Sequence, residues 1–426
     1  MSSMNRFRKI IFAFIAFVTL ASLGYVSYGF WANATAEARF RVRVEERQKA
    51  GLPSQLVDLN GKNVPDEQNV AAQLAKIADS VKDLHSRLDE YLPKEAIPNR
   101  YLTDAELTQI SPLLRDRNDL LNQLIAISKL PSFYSPIPKE VQFSDLIEDP
   151  ISPDLTNLSL TSDLLRTRAL HAHSANQLNE ALQAIYAALA LGNLANNAPT
   201  SDGFLIFTRE TSHNLKALNL ILQQSTLSDS QVAELKTNLG KIQTVKALRK
   251  ALTSDSAAYA TGLLEQKGAL SWFNRGRVYS ALIYHFDMYD EFVQNCELPL
   301  EQWETKYAGF DTPFSWNPFI NVVNLNRANN LAFKTISVRV DILKQCVYIL
   351  AKIQQQVASN STDITLDGLG LSPEDLQDPY TMKPLQLQGS AETGWFIYSV
   401  SANRQDDGGN FENSQDHGIG PSPKSE

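Results

Sequence analysis

The uncharged run "IIFAFIAFVTLASLGYVSYGFW", Ile10 to Trp31, directly follows Arg6, Arg8 and Lys9 near the start of a 426-residue chain. At about 1.5 Å per residue, a helix of this length crosses a hydrocarbon core of roughly 30 Å. The run therefore limits the rest of the chain to a body tethered to a membrane or exported through one. Tyr25, Tyr28 and Trp31 gather at its C-terminal end, where amphipathic rings favour the lipid–water boundary. The expectation is an N-terminal anchor, residues 1–34, that meets the membrane through residues 10–31. Ala32-Asn33-Ala34 leaves a cleaved signal peptide as the other reading, although the apolar region of such a signal is usually shorter. Arg39, Arg41, Arg43, Arg47 and Lys49 follow the run, so Lys and Arg alone do not choose a side. Long domains translocate largely regardless of charge. A signal-like N-terminus then places the body on the periplasmic or extracytoplasmic side of the cytoplasmic membrane.

The remaining chain is mostly helical in pattern. Residues 35–63 are expected as a charged stalk and a linker with Pro53 and Gly61, and residues 64–325 as a helical domain. Val70, Leu74, Ile77, Val81, Leu84 and Leu88 form one helical stripe. Thr103 and Glu106 form a capping box for a second helix, which Pro112 kinks or divides. Pro131, Pro136, Pro138, Pro150 and Pro153 mark a long surface loop over 131–159. Two helices follow around a turn near Ala175–Leu178. In the second, Ala181, Ile185 and Ala188 have the spacing of a tetratricopeptide hairpin. The Trp/Gly/Tyr signature and a second copy are lacking, so an ordinary helix pair is the alternative. Further helices are expected at about 203–224, 229–250, 252–266, 276–296 and 326–358. Tyr307, Phe310, Phe314, Trp316 and Phe319 crowd the segment 305–325. They are candidates for a partner-binding surface, with capping of a helical core as the commoner use of such aromatics.

Several functions are disfavoured. A net charge of −8 without a Lys/Arg stripe argues against nucleic acid as a partner. Two cysteines, Cys296 and Cys346, rule out a disulfide scaffold and a Cys-rich zinc site; they either pair or lie buried as thiols. His171 and His173, two apart on a helix, point to nearly opposite sides and share a metal poorly. No metalloprotease, hydrolase-elbow, Walker or dinucleotide motif occurs, and no catalytic residue is assigned.

The chain's end is different in kind. Leu385–Gln388 and Trp395–Val400 pattern as a β-hairpin. Asn403, Asp406 and Asp407 then offer hard oxygen donors beside Gly408 and Gly409, with Glu412 and Asp416 positioned to fold back. Calcium takes such donors; the other reading is a solvated strand end. Residues 412–426 are expected to be disordered.

The stretch "RVDILKQCVYILAKIQQQ", with Asp378-Pro379-Tyr380, Pro384-Leu385, Tyr398-Ser399-Val400 and Asp406-Asp407-Gly408-Gly409, resembles the C-terminal part of type II secretion major pseudopilins. The resemblance implies a small α/β module over 326–411: a long helix, a hairpin and a calcium loop formed by Asn403, Asp406, Asp407 and Asp416. Residues 64–75 and 163–197 also resemble large membrane-anchored helical proteins of unknown function from planctomycete-type bacteria. The prepilin processing motif is missing, and Met382, Ser401 and Arg404 stand where the related sequences have glycine. The sum is a mainly α protein: an N-terminal transmembrane helix, a helical and partly tetratricopeptide-like body, and a small pseudopilin-like hairpin module. Its expected role is a non-catalytic cell-envelope scaffold with an unknown envelope protein partner. A pilin-like secretion component is the alternative and an envelope hydrolase a distant third.

Overall fold

A computed structural model describes residues 2–60, 63–92, 100–137, 152–198, 201–265, 270–271, 274–308, 317–359, 364–411 and 415–421. The side chains of 2–16, Tyr25, Ala308, Pro318 and 321–329 lie outside this description. The architecture is mainly helical with a small C-terminal sheet.

Helix α1 (Ser2–Lys49) is unbroken. Phe17, Leu20, Leu23, Tyr28, Phe30 and Trp31 are each exposed over more than half of their surface. Among the described residues no helix is long and apolar enough to cross a membrane; the side chains at 10–16, the start of the apolar run, are not among them. From Ala36 onward the same helix is packed along α11 (Arg275–Asn295). Gly276 allows the approach: its N–H donates to Asn33 Oδ1 at 2.8 Å, and a Cβ there would lie 2.5 Å from that oxygen. Phe40 stacks 5.0 Å from Tyr279 and 6.0 Å from Phe286. Arg47, 1% exposed, pairs with Asp290 and donates to Pro53 O at 2.7 Å, its guanidinium lying 4.2 Å over Phe286. Arg43 reaches Asp290 at 2.8 Å and Asp287 at 2.9 Å. The segment expected to stand as a free stalk is therefore bolted to the body. The linker is strapped down as well. Leu56 is buried, and the Asn60 side chain exchanges two hydrogen bonds with the Ile137 backbone.

The first amphipathic stripe forms two helices, α2 (Val70–Lys76) and α3 (Ala78–Asp89), separated at Ile77. The next forms α4 (Asp104–Asp116), opened by the expected Thr103–Glu106 box, and α5 (Asn118–Ile127). The division falls at Arg117 rather than at Pro112. Pro112 and Thr108 are exposed, so the carbonyl that proline leaves unbonded faces water. Helix α6 (Pro153–Ser174) starts earlier than expected, with Ser152 Oγ accepting from Leu155 N–H and Pro153 in the first turn. Asn176, at φ 60°, ends it in the left-handed region, and Gln177 N–H returns to Ala172 O at 2.9 Å. Helix α7 (Leu178–Ala195) pairs with α6, and α8 (Ser201–Gln223) packs on α7. The expected 229–250 helix is instead α9 (Asp229–Gly240) and the start of α10 (Thr244–Glu265). Helices α12 (Leu300–Ala308) and α13 (Pro318–Ala358) complete the body.

Strands β1 (Gln386–Ser390), β2 (Gly394–Ser399) and β3 (His417–Ile419) form an antiparallel sheet in that order. The third strand corrects the expectation of a disordered tail for its described part. Ile419 is buried opposite Ile397, and a Cβ on Gly418 would come within 2.2 Å of Ile397 O. The sheet rests on α13 and is gripped by amides from α8: Gln223 donates to Trp395 O at 2.8 Å and accepts from Trp395 N–H at 3.1 Å, while Asn219 donates to Gly420 O at 2.8 Å. One hydrophobic core thus runs from Val70 to Ile419, so the C-terminal module is continuous with the body. Asp378 fixes the hairpin, accepting from Tyr380 N–H (2.8 Å), Ser399 Oγ–H (2.7 Å) and Val400 N–H (3.2 Å). Met382, Ser401 and Arg404, the positions where the resemblance has glycine, adopt φ of 59°, 56° and 56°, a region glycine enters at no steric cost.

Three packed histidines make the fold acid-sensitive. Burial, above all, holds His285 at about 3, His213 at about 4 and His417 at about 4. Nearby cations add to it: Arg47 at His285, Arg166 at His213 and Arg339 at His417. An unfolded histidine binds its proton near pH 6.5, so the stability these groups confer is complete above about 6.5 and is lost as pH falls toward about 4. His85 opposes the trend, its bond to Asp163 raising its value. The melting temperature of the full chain is expected to fall steadily from about pH 7 to about pH 5; a flat or rising profile would contradict this reading.

Candidate functional site

The residues singled out in the sequence do not converge on one site. Tyr307 is buried in a ring stack with Phe292 (4.5 Å) and Trp303 (4.8 Å). Phe319 packs on the small cluster of Val278, Leu282 and Phe286. These two serve the core, while Phe310, Phe314 and Trp316 lie outside the described residues.

Asn403, Asp406, Asp407 and Asp416 come together at the chain's end, where several of their oxygens accept internal hydrogen bonds. Asp406 Oδ1 accepts from Tyr398 Oη–H and Gly408 N–H, both at 2.9 Å. Asp416, buried, accepts from Gly409 N–H at 2.8 Å and Asp407 N–H at 3.5 Å, and Asn403 Nδ2 donates to Asp407 at 2.7 Å. Among the described residues no group of three or more His, Cys, Asp and Glu is placed to hold a metal ion. The loop carries hydrogen bonds of its own, and Asp416 folds back onto the 407–409 backbone. Cys296 and Cys346 are both buried as free thiols.

His171 and His173 contact different elements. Ser111 Oγ lies 2.8 Å from His171 Nε2, a spacing that suits a nucleophile and its base. Ser111 Oγ also lies 2.5 Å from Leu107 O, to which it donates, so it sits between a helix carbonyl and the imidazole. His173 reaches Gln224 at 3.3 Å.

Between α6 and α8 lies a buried charge cluster. Arg166 and Glu210, 3% and 1% exposed, approach to 3.5 Å. Arg166 also pairs with Asp163 and donates to Asn214 at 3.0 Å, and Asn214 donates to Ser162 at 3.0 Å. Ser159 donates to Glu210 at 2.8 Å and accepts from Arg209 at 2.6 Å. His85 joins Asp163 from α3 at 3.5 Å. Each charge has a partner, which buried ions require, and the cluster cross-links helices.

One open feature is a groove of about 1100 Å³ whose floor is α7, whose walls are α5 with the following turn and α9, and whose lining includes Arg168 of α6. Six amide side chains reach it, Asn118, Asn179, Gln183, Asn193, Gln231 and Asn238, over a floor that includes Leu182, Ala187 and Ala190. Two lining residues each carry a buried polar atom with no hydrogen-bond partner. Arg168, 7% exposed, spends Nε and Nη2 on Glu180 (3.1 and 2.9 Å) and Nη2 also on Asn118 (3.2 Å), but Nη1 has no partner. Tyr186 Oη, in a residue 8% exposed, also has none. Burial, then the Glu234 carboxylate, keeps this phenol protonated far above its usual range. The sequence reading missed this site because residues of four separate helices line it, among them Arg168 inside the mostly apolar "LLRTRALHA".

No protein-family model, curated protein or solved structure matches the chain.

Proposed function

We propose that this chain is a membrane-anchored cell-envelope scaffold. Residues 10–31 lie in the cytoplasmic membrane, the helical body stands on its extracytoplasmic side, and the protein holds a partner without chemical turnover. The observation that carries the reading is the abrupt change along α1. Large apolar side chains from Phe17 to Trp31 face outward, whereas the same helix from Ala36 is packed and ion-paired to the body. Exposed apolar area of this extent calls for a lipid or protein cover. Extraction of native membranes with alkaline carbonate tests it. The intact chain is expected in the pellet, and recovery in the wash would contradict the anchor.

A second reading has a specific observation behind it. A long helix, an Asp378-clamped turn and an antiparallel hairpin follow one another at the chain's end, the order that the pseudopilin resemblance implies. A pilin-like secretion component would co-purify with secretion-system subunits from detergent-solubilised membranes; a monodisperse monomer would remove this alternative.

A further inference from the structure

We propose that the body docks on the headgroups of anionic lipids through Arg275 and Arg277 at the start of α11. The inference rests on the anchor reading and adds which lipid the chain selects. The level of these residues is set by α1. The two helices run in the same direction, since Asn33, Phe40, Arg43 and Arg47 meet Gly276, Tyr279, Asp287 and Asp290 in that order. The start of α11 is therefore its end nearest the membrane. Gly276 N–H donates to Asn33 Oδ1 at 2.8 Å, and Asn33 lies about 3 Å beyond Trp31 along the helix. Headgroups extend about 5–7 Å beyond each face of the hydrocarbon core. With the boundary near Trp31, the first turn of α11 sits among them. Asn317 Nδ2–H donates to Arg277 O at 2.8 Å and holds the start of α13 at the same level.

Charge then selects the lipid. Helix α11 opens with "RGRVYSALIYH", Arg275 to His285, which has two arginines and no carboxylate. Its first acid, Asp287, comes about 16 Å beyond Gly276. Cations are disfavoured at a helix N-terminus by the macrodipole. Both arginines are exposed, and among the described residues neither makes an ion pair to offset this. An anionic headgroup supplies the missing counter-charge. The backbone donors beside them are already used: Arg275 N–H meets Ser271 O and Val278 N–H meets Asn274 O, both at 2.9 Å. Recognition thus falls to the guanidiniums, whose planar forks match a phosphate. A basic residue at an anionic bilayer surface gains about fivefold in local affinity.

The test places the full chain in phosphatidylcholine nanodiscs at low salt, with a bimane on Ser280→Cys. Ser280 is exposed one turn beyond Gly276, and Cys296 and Cys346 are buried. The quencher is phosphatidylglycerol or phosphatidylcholine with a nitroxide near the top of one acyl chain. Phosphatidylglycerol is expected to reach half-quenching at a mole fraction at least about fivefold lower. The preference should vanish in the Arg275→Gln/Arg277→Gln variant at an unchanged melting temperature, and shrink in about 0.5 M salt. Equal quenching by the two lipids, or an undiminished preference in the glutamine variant, would overturn the proposal and leave the anchor standing. No quenching by either lipid would also overturn it, and the carbonate extraction decides the anchor separately.

Discussion

Full-length protein carrying Leu20→Arg together with Leu23→Arg is expected to move from the membrane pellet to the carbonate wash. Both leucines sit near the middle of the Ile10–Trp31 run, and both face outward, 69% and 57% exposed. An arginine near the centre of a membrane helix costs about 2.5–3.5 kcal/mol on insertion scales, so the pair removes roughly 5–7 kcal/mol of insertion free energy. That corresponds to a loss of several thousand-fold or more in partitioning, since about 1.4 kcal/mol is tenfold. The body should be little affected, because Leu20 and Leu23 are exposed and lie N-terminal to the Asn33, Arg43 and Arg47 contacts that join α1 to it. An unchanged melting temperature with lost sedimentation is therefore the full expected result. Retention of the double variant in the pellet would mean that these leucines are not in lipid.

Asp290→Ala is expected to be the most damaging single change to the join between α1 and the body. Asp290 is the counter-ion of Arg47, which is 1% exposed, and it also receives Arg43 at 2.8 Å. Burial, as the first cause, holds Arg47 below its usual value and Asp290 above its own. Each charge is thus disfavoured by desolvation and tolerated because the other is present. Removing one partner of such a pair costs about 3–5 kcal/mol, a large part of a domain's typical ~5–15 kcal/mol. A markedly lower melting temperature and faster proteolysis around Gly51–Asn60 should follow. Combining Arg47→Met with Asp290→Leu removes both charges and should restore most of the loss. If the apolar pair is as unstable as Asp290→Ala, the damage comes from packing and the ion-pair account is wrong.

Local signals in the sequence survived best. The Thr103–Glu106 capping box and the hairpin of β1 and β2 are written within a few residues, and both form. What failed depended on distant partners. His417–Ile419 reads as polar tail because its pairing strand ends at Ser399 and its cover comes from Asn219 on α8. The basic stretch after the apolar run reads as a solvated stalk, since Asp290, which neutralises Arg43 and Arg47, lies far along the chain. The groove was least legible, because its lining comes from α5, α6, α7 and α9, which are far apart in the sequence.

The central claim is that α1 changes from lipid to water within one continuous helix, near Trp31. Single cysteines placed along residues 17–48 of the full chain in nanodiscs, probed with a membrane-impermeant maleimide, test it directly. The native thiols Cys296 and Cys346 are buried and supply little background. Protection from position 17 through about 31, followed by rapid labelling at the exposed positions 39, 42 and 45, is the predicted profile. Uniform labelling on both sides of Trp31 would contradict the claim.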